Sequence, residues 1–413
     1  MRRLALTLVL TLAAGAAGAA GPEPLSRFHI HFTDLPEPHA TPSAANPAAI
    51  VARSQHDAPI LPPGWNAWLF ADDLDHPRNL LVLPDGSVLV AEQRADRLTR
   101  LADGDGDGLA ESRTVFATGF DEPYGLAFHD GQVWVADTKA VWRLDWREGA
   151  PQAGARTRVT KPGALGDDRG HSTRSLAIAP DGKHFYVGIG SRSNIAVEPA
   201  PRATIQEFAI DGSGQRTFAS GLRNPVGMAF RPGSDELWAV VNERDGMGDE
   251  LVPDYLAQIP DGAFFGWPYA YVGSHPQPGF AERQPTLVVR SRIPDVLFKA
   301  HSAPLGLAFL DGFAYVALHG SWNRSTPNAG MVARVPLTND HPLGHYEVFA
   351  SGFMIDATHA WGRPAGLAAS HDGALYIADD AGRTVWKIAP EPLARPEQTD
   401  EPPAPADPGP EKP

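Results

Sequence analysis

The chain of 413 residues contains no cysteine. A disulfide framework, thiolate catalysis and cysteine-ligated metals are therefore excluded, and stability must come from a large buried core. Long apolar runs are also missing. The stretch Leu4–Leu12 falls well short of the roughly 20 apolar residues a membrane span needs. Nothing later in the chain is apolar enough to span, which argues against membrane insertion. Positive charge is scarce: 35 Lys and Arg stand against 49 Asp and Glu, a net charge of -14. That balance disfavours nucleic acid or an anionic membrane surface as a partner.

What is present begins with an export pattern. Arg2 and Arg3 precede the apolar run, and small residues Ala13–Ala20 offer cleavage sites, so residues 1–20 read as a signal peptide and the protein as periplasmic or secreted. Residues 21–62 form an extended Pro/Ala/His-rich segment expected to wrap the outside or stay mobile. Residues 391–413 are Pro/Glu-rich, lack core-forming residues and are expected to be disordered. Between them, 41 glycines and 40 prolines in the whole chain suit short strands joined by tight turns.

Residues 63–390 repeat. An apolar strand, a turn built on Asp-Gly and a second alternating strand recur as NLLVLPDGSVLVAE from Asn79, GLAFHDGQVWVAD from Gly125 and SLAIAPDGKHFYVGI from Ser175. The unit returns with a modified turn as GMAFRPGSDELWAVV from Gly227, then as GLAFLDGFAYVAL from Gly306 and GLAASHDGALYIAD from Gly366. Asp-Gly between alternating strands is a strong hairpin signal, and repeats of this size suit propeller blades. Outer strands read as TVFATGF, RTFASGL and EVFASGF; AWLFADDL precedes the first unit, while nothing follows TVWKIAP in the last. The fold class is therefore all-β: a six-bladed β-propeller in which the N-terminal strand closes the ring and removes an open edge. The stretch 243–300 is expected to be loops added to this scaffold.

Residues just before each first strand and just after each second strand emerge on one face, around the channel mouth. Arg78, Arg94, Arg174, Arg192, Arg223, Arg244, Arg324 and Arg363 all fall there. Grouped guanidiniums bind carboxylates bidentately and focus potential on an anion, so the mouth should hold a polycarboxylate, a phosphate or an acidic sugar. The plainer alternative pairs each arginine with a local acid. His171 and His301 occupy equivalent mouth positions. A neutral imidazole at His171, in a Gly-flanked loop near Arg174, suits proton abstraction from a hydroxyl.

The segments GHSTRSLAIAPDGKHFYVGIGSRSN, GLRNPVGMAF, NERDGMGDEL with FFGWPYAYVG, and WGRPAGLAASHDGALYIAD resemble the glucose/sorbosone dehydrogenase family, the soluble pyrroloquinoline quinone (PQQ)-dependent sugar dehydrogenases. The resemblance covers roughly residues 65–390 in order. It implies a sugar substrate, PQQ and calcium as cofactors, and a separate soluble or membrane electron acceptor. It makes His171 the general base, with Arg223 and Asn224 beside the quinone oxygens and Arg223 stabilising charge as the quinone is reduced. Arg363 and Arg324 would meet cofactor carboxylates, and Arg244 would also lie at the cofactor. Main-chain carbonyls of Arg244 and Asp245 would hold calcium, with Glu250 near a further ion. The family's glucose-oxidising members carry Gly-Pro where this chain has Arg244-Asp245, and the counterpart of a family glutamine is Glu122 or Tyr124.

Separately, DGDGDGLAE presents Asp103, Asp105, Asp107 and Glu111 in a pattern similar to a compact calcium loop, the plainer reading being a polar turn. Two rival functions stay open. One is a metal-dependent lactonase-type propeller hydrolase using Glu92, Asn242 and Asp379. The other is a non-enzymatic propeller that binds a protein or glycan.

Overall fold

The computed structural model describes residues 21–339 and 341–390. The Asp-Gly turns do what their chemistry dictates. Asp130-Gly131 and Asp311-Gly312 hold positive φ at both central residues, the two-residue hairpin turn whose twist matches the flanking strands. At Asp85 the turn is longer, and the carboxylate accepts the Ser87 N–H instead.

Six four-stranded antiparallel blades follow in chain order. Blade 1 runs Pro77–Val82, Val88–Glu92, Arg97–Ala102 and Ser112–Thr118, and blade 2 runs Gly125–His129, Gln132–Ala136, Val141–Asp145 and Arg156–Arg158. Blade 3 uses Arg174–Ile178, His184–Ile189, Thr204–Ala209 and Arg216–Ser220. Blade 4 uses Pro225–Phe230, Leu237–Val241, Pro253–Gln258 and Val296–Ala300. Blade 5 is built from Pro304–Leu310, Phe313–Leu318, Met331–Thr338 and Tyr346–Ala350. Blade 6 takes Pro364–Ala369, Leu375–Asp379 and Thr384–Pro390, and its outer strand is Trp65–Ala71 from the start of the chain. The expected ring closure is thus present.

Second strands such as Val88–Glu92 and Leu375–Asp379 are buried at every position. Each lies inside a blade sandwiched between two others, so both of its faces are covered. The core is accordingly divided among six apolar clusters, one at each blade junction. A seventh cluster, Tyr124, Val226, Leu305 and Ala365, brings together blades 2, 4, 5 and 6 on the axis. The Tyr124 hydroxyl reaches across to the Leu305 carbonyl. This closes the channel at the mouth end of the inner strands.

One expectation is corrected. The stretch 243–300 is not all added loop, because it carries the two outer strands of blade 4; only the part between them, with a short helix Pro285–Arg290, is inserted. The segment before the propeller wraps its edge. Arg27–Phe28 adds a fifth strand to blade 5, and Ala49–Ile50 pairs with His359–Ala360. The expected signal peptide and tail lie outside the described residues.

Candidate active site

The mouth is built as the hairpin geometry requires. Backbone hydrogen bonds tie Gln93 to His76, Thr138 to Asp121, His171 to Ser191, Asn242 to Asn224 and His319 to Ala303. Each joins the segment just after a second strand to the segment just before a first.

His171 is held from two sides. Its loop is irregular, so its carbonyls need donors, and two buried arginines supply them. Arg174 donates to the carbonyls of Leu165, Asp167, His171 and Thr173. Arg202 donates to those of His171, Gly190, Asp167 and Arg169, and pairs with the Asp167 carboxylate. The imidazole Nδ1 lies 2.7 Å from the Ser191 carbonyl. A carbonyl only accepts, so Nδ1 carries the hydrogen and Nε2 keeps its lone pair. Nε2 has no hydrogen bond among the described residues. Burial, then the neighbouring Arg223, pushes the imidazole down to about 4, so it is a neutral base at neutral pH. Gly190 packs beneath: a Cβ there would overlap Asn224 Oδ1 and meet the His171 Cβ at 2.7 Å.

Arg223 and Asn224 open blade 4 in the same cavity as His171, a space of about 180 Å³. Arg223 donates to Asn194, to the Glu243 carbonyl at 2.8 Å, and to Asp245 Oδ2 at 3.2 Å. Asn224 Oδ1 is buried without a partner among the described residues. Glu243 and Asp254 complete the wall. Burial pushes Glu243 up to about 7 and Asp254 to about 6. His301 is nearby but has no free nitrogen. Nε2 meets the Gly248 carbonyl at 2.9 Å and Nδ1 meets Asn323 at 2.9 Å, which makes it a positioning group.

The eight arginines divide. Arg174 is spent on carbonyls, Arg192 pairs with Asp167, Arg78 with Asp380 and Arg324 with Glu250. For these the local-partner alternative applies, because loops rich in carbonyls and acids recruit the nearest cations. Arg244 bends back to the Asp245 carbonyl. Arg363 is fixed by the carbonyls of His319 and Gly320 through Nε and Nη2. Arg94 makes no hydrogen bond or ion pair among the described residues.

Arg363 and Arg94 line a second cavity of about 870 Å³, between blades 6 and 1. Sequence reasoning missed its centre. Asp380 accepts from His319 Nε2 at 2.8 Å and from Arg78. Burial works against the charge, yet His319 and Arg78 hold Asp380 far below the usual carboxylate range. Burial pushes His319 down to about 4. Both residues follow second strands, the position that marks the mouth face, which was the available signal.

The proposed metal ligands fall in two places. Asp103, Asp105, Asp107 and Glu111 each offer an oxygen within 4.8 Å of the others. At the mouth, the Asp245 carbonyl already accepts from Asn194 and Arg244, and Glu250 is turned to Arg324. The lactonase-type set is not assembled. Glu92 is locked by Arg97 and Thr99, Asn242 donates to the Pro304 carbonyl, and Asp379 sits against Gly362 and Gly382.

The TrAA12-like family matches residues 59–254 and 287–391. The PQQ-dependent pyranose dehydrogenase of Coprinopsis cinerea is 26% identical over 385 residues, covering 76% of this chain and 52% of that protein. An uncharacterized protein of Borreliella burgdorferi is 29% identical over 230 residues, covering 53% of this chain and 60% of that protein. The chain thus spans little more than half the length of these relatives. Among solved structures, the holo PQQ domain of the Coprinopsis cinerea pyranose dehydrogenase aligns with a TM-score of 0.70 at 21% identity, over 83% of this chain and 100% of that domain. The PQQ-bound aldose sugar dehydrogenase of Streptomyces coelicolor aligns with a TM-score of 0.57 at 20% identity, over 80% and 100%. These structures establish the propeller fold, and the family match covers most of it: the chain belongs to the TrAA12-like family.

Proposed function

We propose that this chain is a PQQ-dependent sugar dehydrogenase that acts outside the cytoplasm and passes electrons to a separate acceptor. The observation that carries the reading is His171: a neutral imidazole with a free Nε2, in one cavity with Arg223 and Asn224. No helix among the described residues is long and apolar enough to cross a membrane. Two functions named above, in the pyranose dehydrogenase of Coprinopsis cinerea and the aldose sugar dehydrogenase of Streptomyces coelicolor, point to the same chemistry.

The residues fit the cofactor. A quinone with three carboxylates needs cations and amide donors at its edge, and Arg223, Asn224, Arg244 and Arg363 supply both types around the mouth, whereas Arg324 is turned to Glu250. Asn224 brings the amide donor: its Nδ2 makes no hydrogen bond among the described residues, while its oxygen is buried over Gly190. When bound, PQQ would supply the acceptor for a hydride from the sugar carbon. His171 takes the hydroxyl proton on Nε2, and the Ser191 carbonyl steadies the imidazolium through Nδ1. Arg223 places positive charge beside the acceptor. At the mouth the Asp245 carbonyl already accepts from Asn194 and Arg244 and Glu250 is turned to Arg324, which leaves the Arg244 carbonyl as the main-chain oxygen there with no partner among the described residues. A calcium ion fits the Asp103–Glu111 loop better.

The test is a titration of EDTA-stripped protein with PQQ, followed by absorbance, and then addition of aldoses. Saturable binding and sugar-driven bleaching are expected. His171→Ala should keep the binding and slow the bleaching by about 10²–10⁴-fold. In the loaded wild type the rate should fall as pH drops toward about 4 and stay level from there to neutrality. Absence of binding at micromolar PQQ would sink the proposal.

A further inference from the structure

Two irregular loops contribute to the wall of the His171 cavity. Residues 242–252, after the second strand of blade 4, bring Asp245, and residues 319–330, after the second strand of blade 5, bring Trp322 and Asn323. Neither loop has a strand ladder of its own, so its peptide groups must find partners elsewhere. In part the loops brace each other. Asn323 Nδ2 donates to Asp245 Oδ1 at 2.7 Å, the Ser325 N–H donates to Asp249 Oδ1 at 3.0 Å, and Arg324 donates to the Asp249 carbonyl. The first loop also fixes two groups of the site. Asp245 Oδ2 accepts from Arg223 at 3.2 Å, and the Gly248 carbonyl lies 2.9 Å from His301 Nε2.

The remaining partners come from the arm that precedes the propeller. Its His39 N–H donates to the Met247 carbonyl at 2.9 Å, and the Thr41 hydroxyl accepts the Asp249 N–H at 2.8 Å. Further along, the Asn46 N–H donates to the Trp322 carbonyl at 2.7 Å and its Nδ2 to the Ser325 carbonyl at 2.9 Å. One short stretch of the arm thus clips both loops. The fit is close: Gly248 has a φ of +105°, and a Cβ there would meet the Thr41 carbonyl oxygen and hydroxyl at 2.8 Å each. Behind the contact, Ile30 and Leu35 of the arm pack on the apolar cluster that contains Met247, Leu251 and Val252, with Tyr271 and Val272 of the blade 4 insertion. Gln277 of the same insertion donates to Met247 Sδ at 3.5 Å. Arm residues 21–58 and residues 255–286 both lie outside the stretches that match the family. The brace is therefore built from parts that the family match does not supply.

We propose that the arm is a strap across the mouth, in which Thr41 and Asn46 are positioning residues. They hold the loops of Asp245 and Trp322 in place and, through Asp245, the guanidinium of Arg223. The proposal rests on the dehydrogenase reading for what Arg223 then does, but not for the hold on the loops. Arg223 keeps its main-chain acceptors when the loop slackens, but it loses a fixed carboxylate, and a small misplacement beside the reacting atoms is costly in rate.

Two measurements on the full chain separate the outcomes. Thr41→Val keeps the shape of the side chain and removes its acceptor, and Asn46→Ala removes the bond to Ser325. In cofactor-free protein the double variant should speed amide hydrogen exchange about tenfold in residues 245–250 and 321–326 and leave the blade strands unchanged. In PQQ-loaded protein it should lower kcat about tenfold with the aldose KM unchanged, because Arg223 acts on the acceptor and not on the sugar. Thr41→Ser, which keeps the hydroxyl, should match wild type in both, as a role confined to packing the threonine methyl would not allow. Exchange that rises in neither loop, or in only one, overturns the strap. So does faster exchange in both loops with kcat unchanged, since the wall would not then need to be held. Faster exchange in both loops of a protein that ignores PQQ would instead remove the dehydrogenase reading and leave the strap standing.

Discussion

Asp379 shows what a single side chain does at this mouth. It is fully buried at the end of a blade 6 strand, and Oδ1 accepts the N–H groups of Arg363 and Gly382 at 2.7 and 2.8 Å. Oδ2 is packed against Gly362 and Gly382 and has no partner among the described residues. Burial pushes the carboxyl up to about 7. An acid raised in the native state is protonated in both states at low pH. Between the unfolded value near 4 and the native value near 7, the unfolded chain releases a proton that the native state retains, so stability falls as pH rises through that window. Asp379→Asn keeps Oδ1 and never ionises. Relative to wild type it should gain stability from pH 5 to pH 8, on the order of 2 kcal/mol, read from paired urea melts at the two pH values. A difference that does not change with pH would mean that Asp379 is ionised in the native state across this range, as it is in the unfolded chain, and that burial does not raise it. Individual residues were also where the sequence was least legible. Spacing put eight arginines on one face, but it does not reveal that Arg174 would be consumed by four carbonyls of an irregular loop, or that His319 would find Asp380 across a blade junction. Such partners depend on loop paths, not on strand pattern.

Between strands, the clearest device is the loop joining the third and fourth strands of blade 1. Four carboxylates crowd together there with one cation in contact, Lys387 of blade 6, whose Nζ lies 3.1 Å from Asp103. Gly108 lets the loop pass over the closing strand: its φ is +92°, and a Cβ would meet the Trp68 ring at 2.9 Å. A divalent cation with oxygen ligands would relieve the repulsion and brace blade 1 against the seam. Calcium should therefore raise the unfolding midpoint, by about 2–3 kcal/mol of stability at a hundredfold excess over its dissociation constant. Asp105→Asn with Asp107→Asn should abolish the response while leaving the metal-free midpoint unchanged or higher. A midpoint indifferent to calcium would leave the loop as a polar turn. The alternate acids made this element legible from sequence. The outer strands of blade 4 were not, because an insertion of 37 residues, with the helix Pro285–Arg290 in it, separates Pro253–Gln258 from Val296–Ala300 and breaks the local hairpin pattern on which the other blades were recognised.

At the scale of the ring, hairpin chemistry settled the architecture in advance: five Asp-Gly turns and one modified turn at Pro232-Gly233 make six blades, and a spare strand at one end with a missing one at the other can only mean closure. That closure joins Trp65–Ala71 to Thr384–Pro390, residues at opposite ends of the propeller, so it is the contact with the largest loop to close. The other blades have all their strands in sequence and suffer no such cost. The seam should therefore open first. Phe70 is its apolar anchor, 2% exposed and set edge-on to Tyr376 at 5.0 Å; Phe185, in blade 3, is equally buried and stacks on Phe208 at 4.9 Å. Truncating either ring to alanine should cost about 3–5 kcal/mol. The consequences should differ in kind. Phe70→Ala should let a protease cut between residues 59 and 75 under native conditions, because losing the anchor frees one strand without unfolding a blade. Phe185→Ala should lower the melting midpoint by a similar amount yet leave the native digest like that of wild type, since a blade contiguous in sequence fails only with the whole ring. If both variants are cut alike, or neither is, the seam is no weaker than the other five junctions and the ring unfolds as one unit.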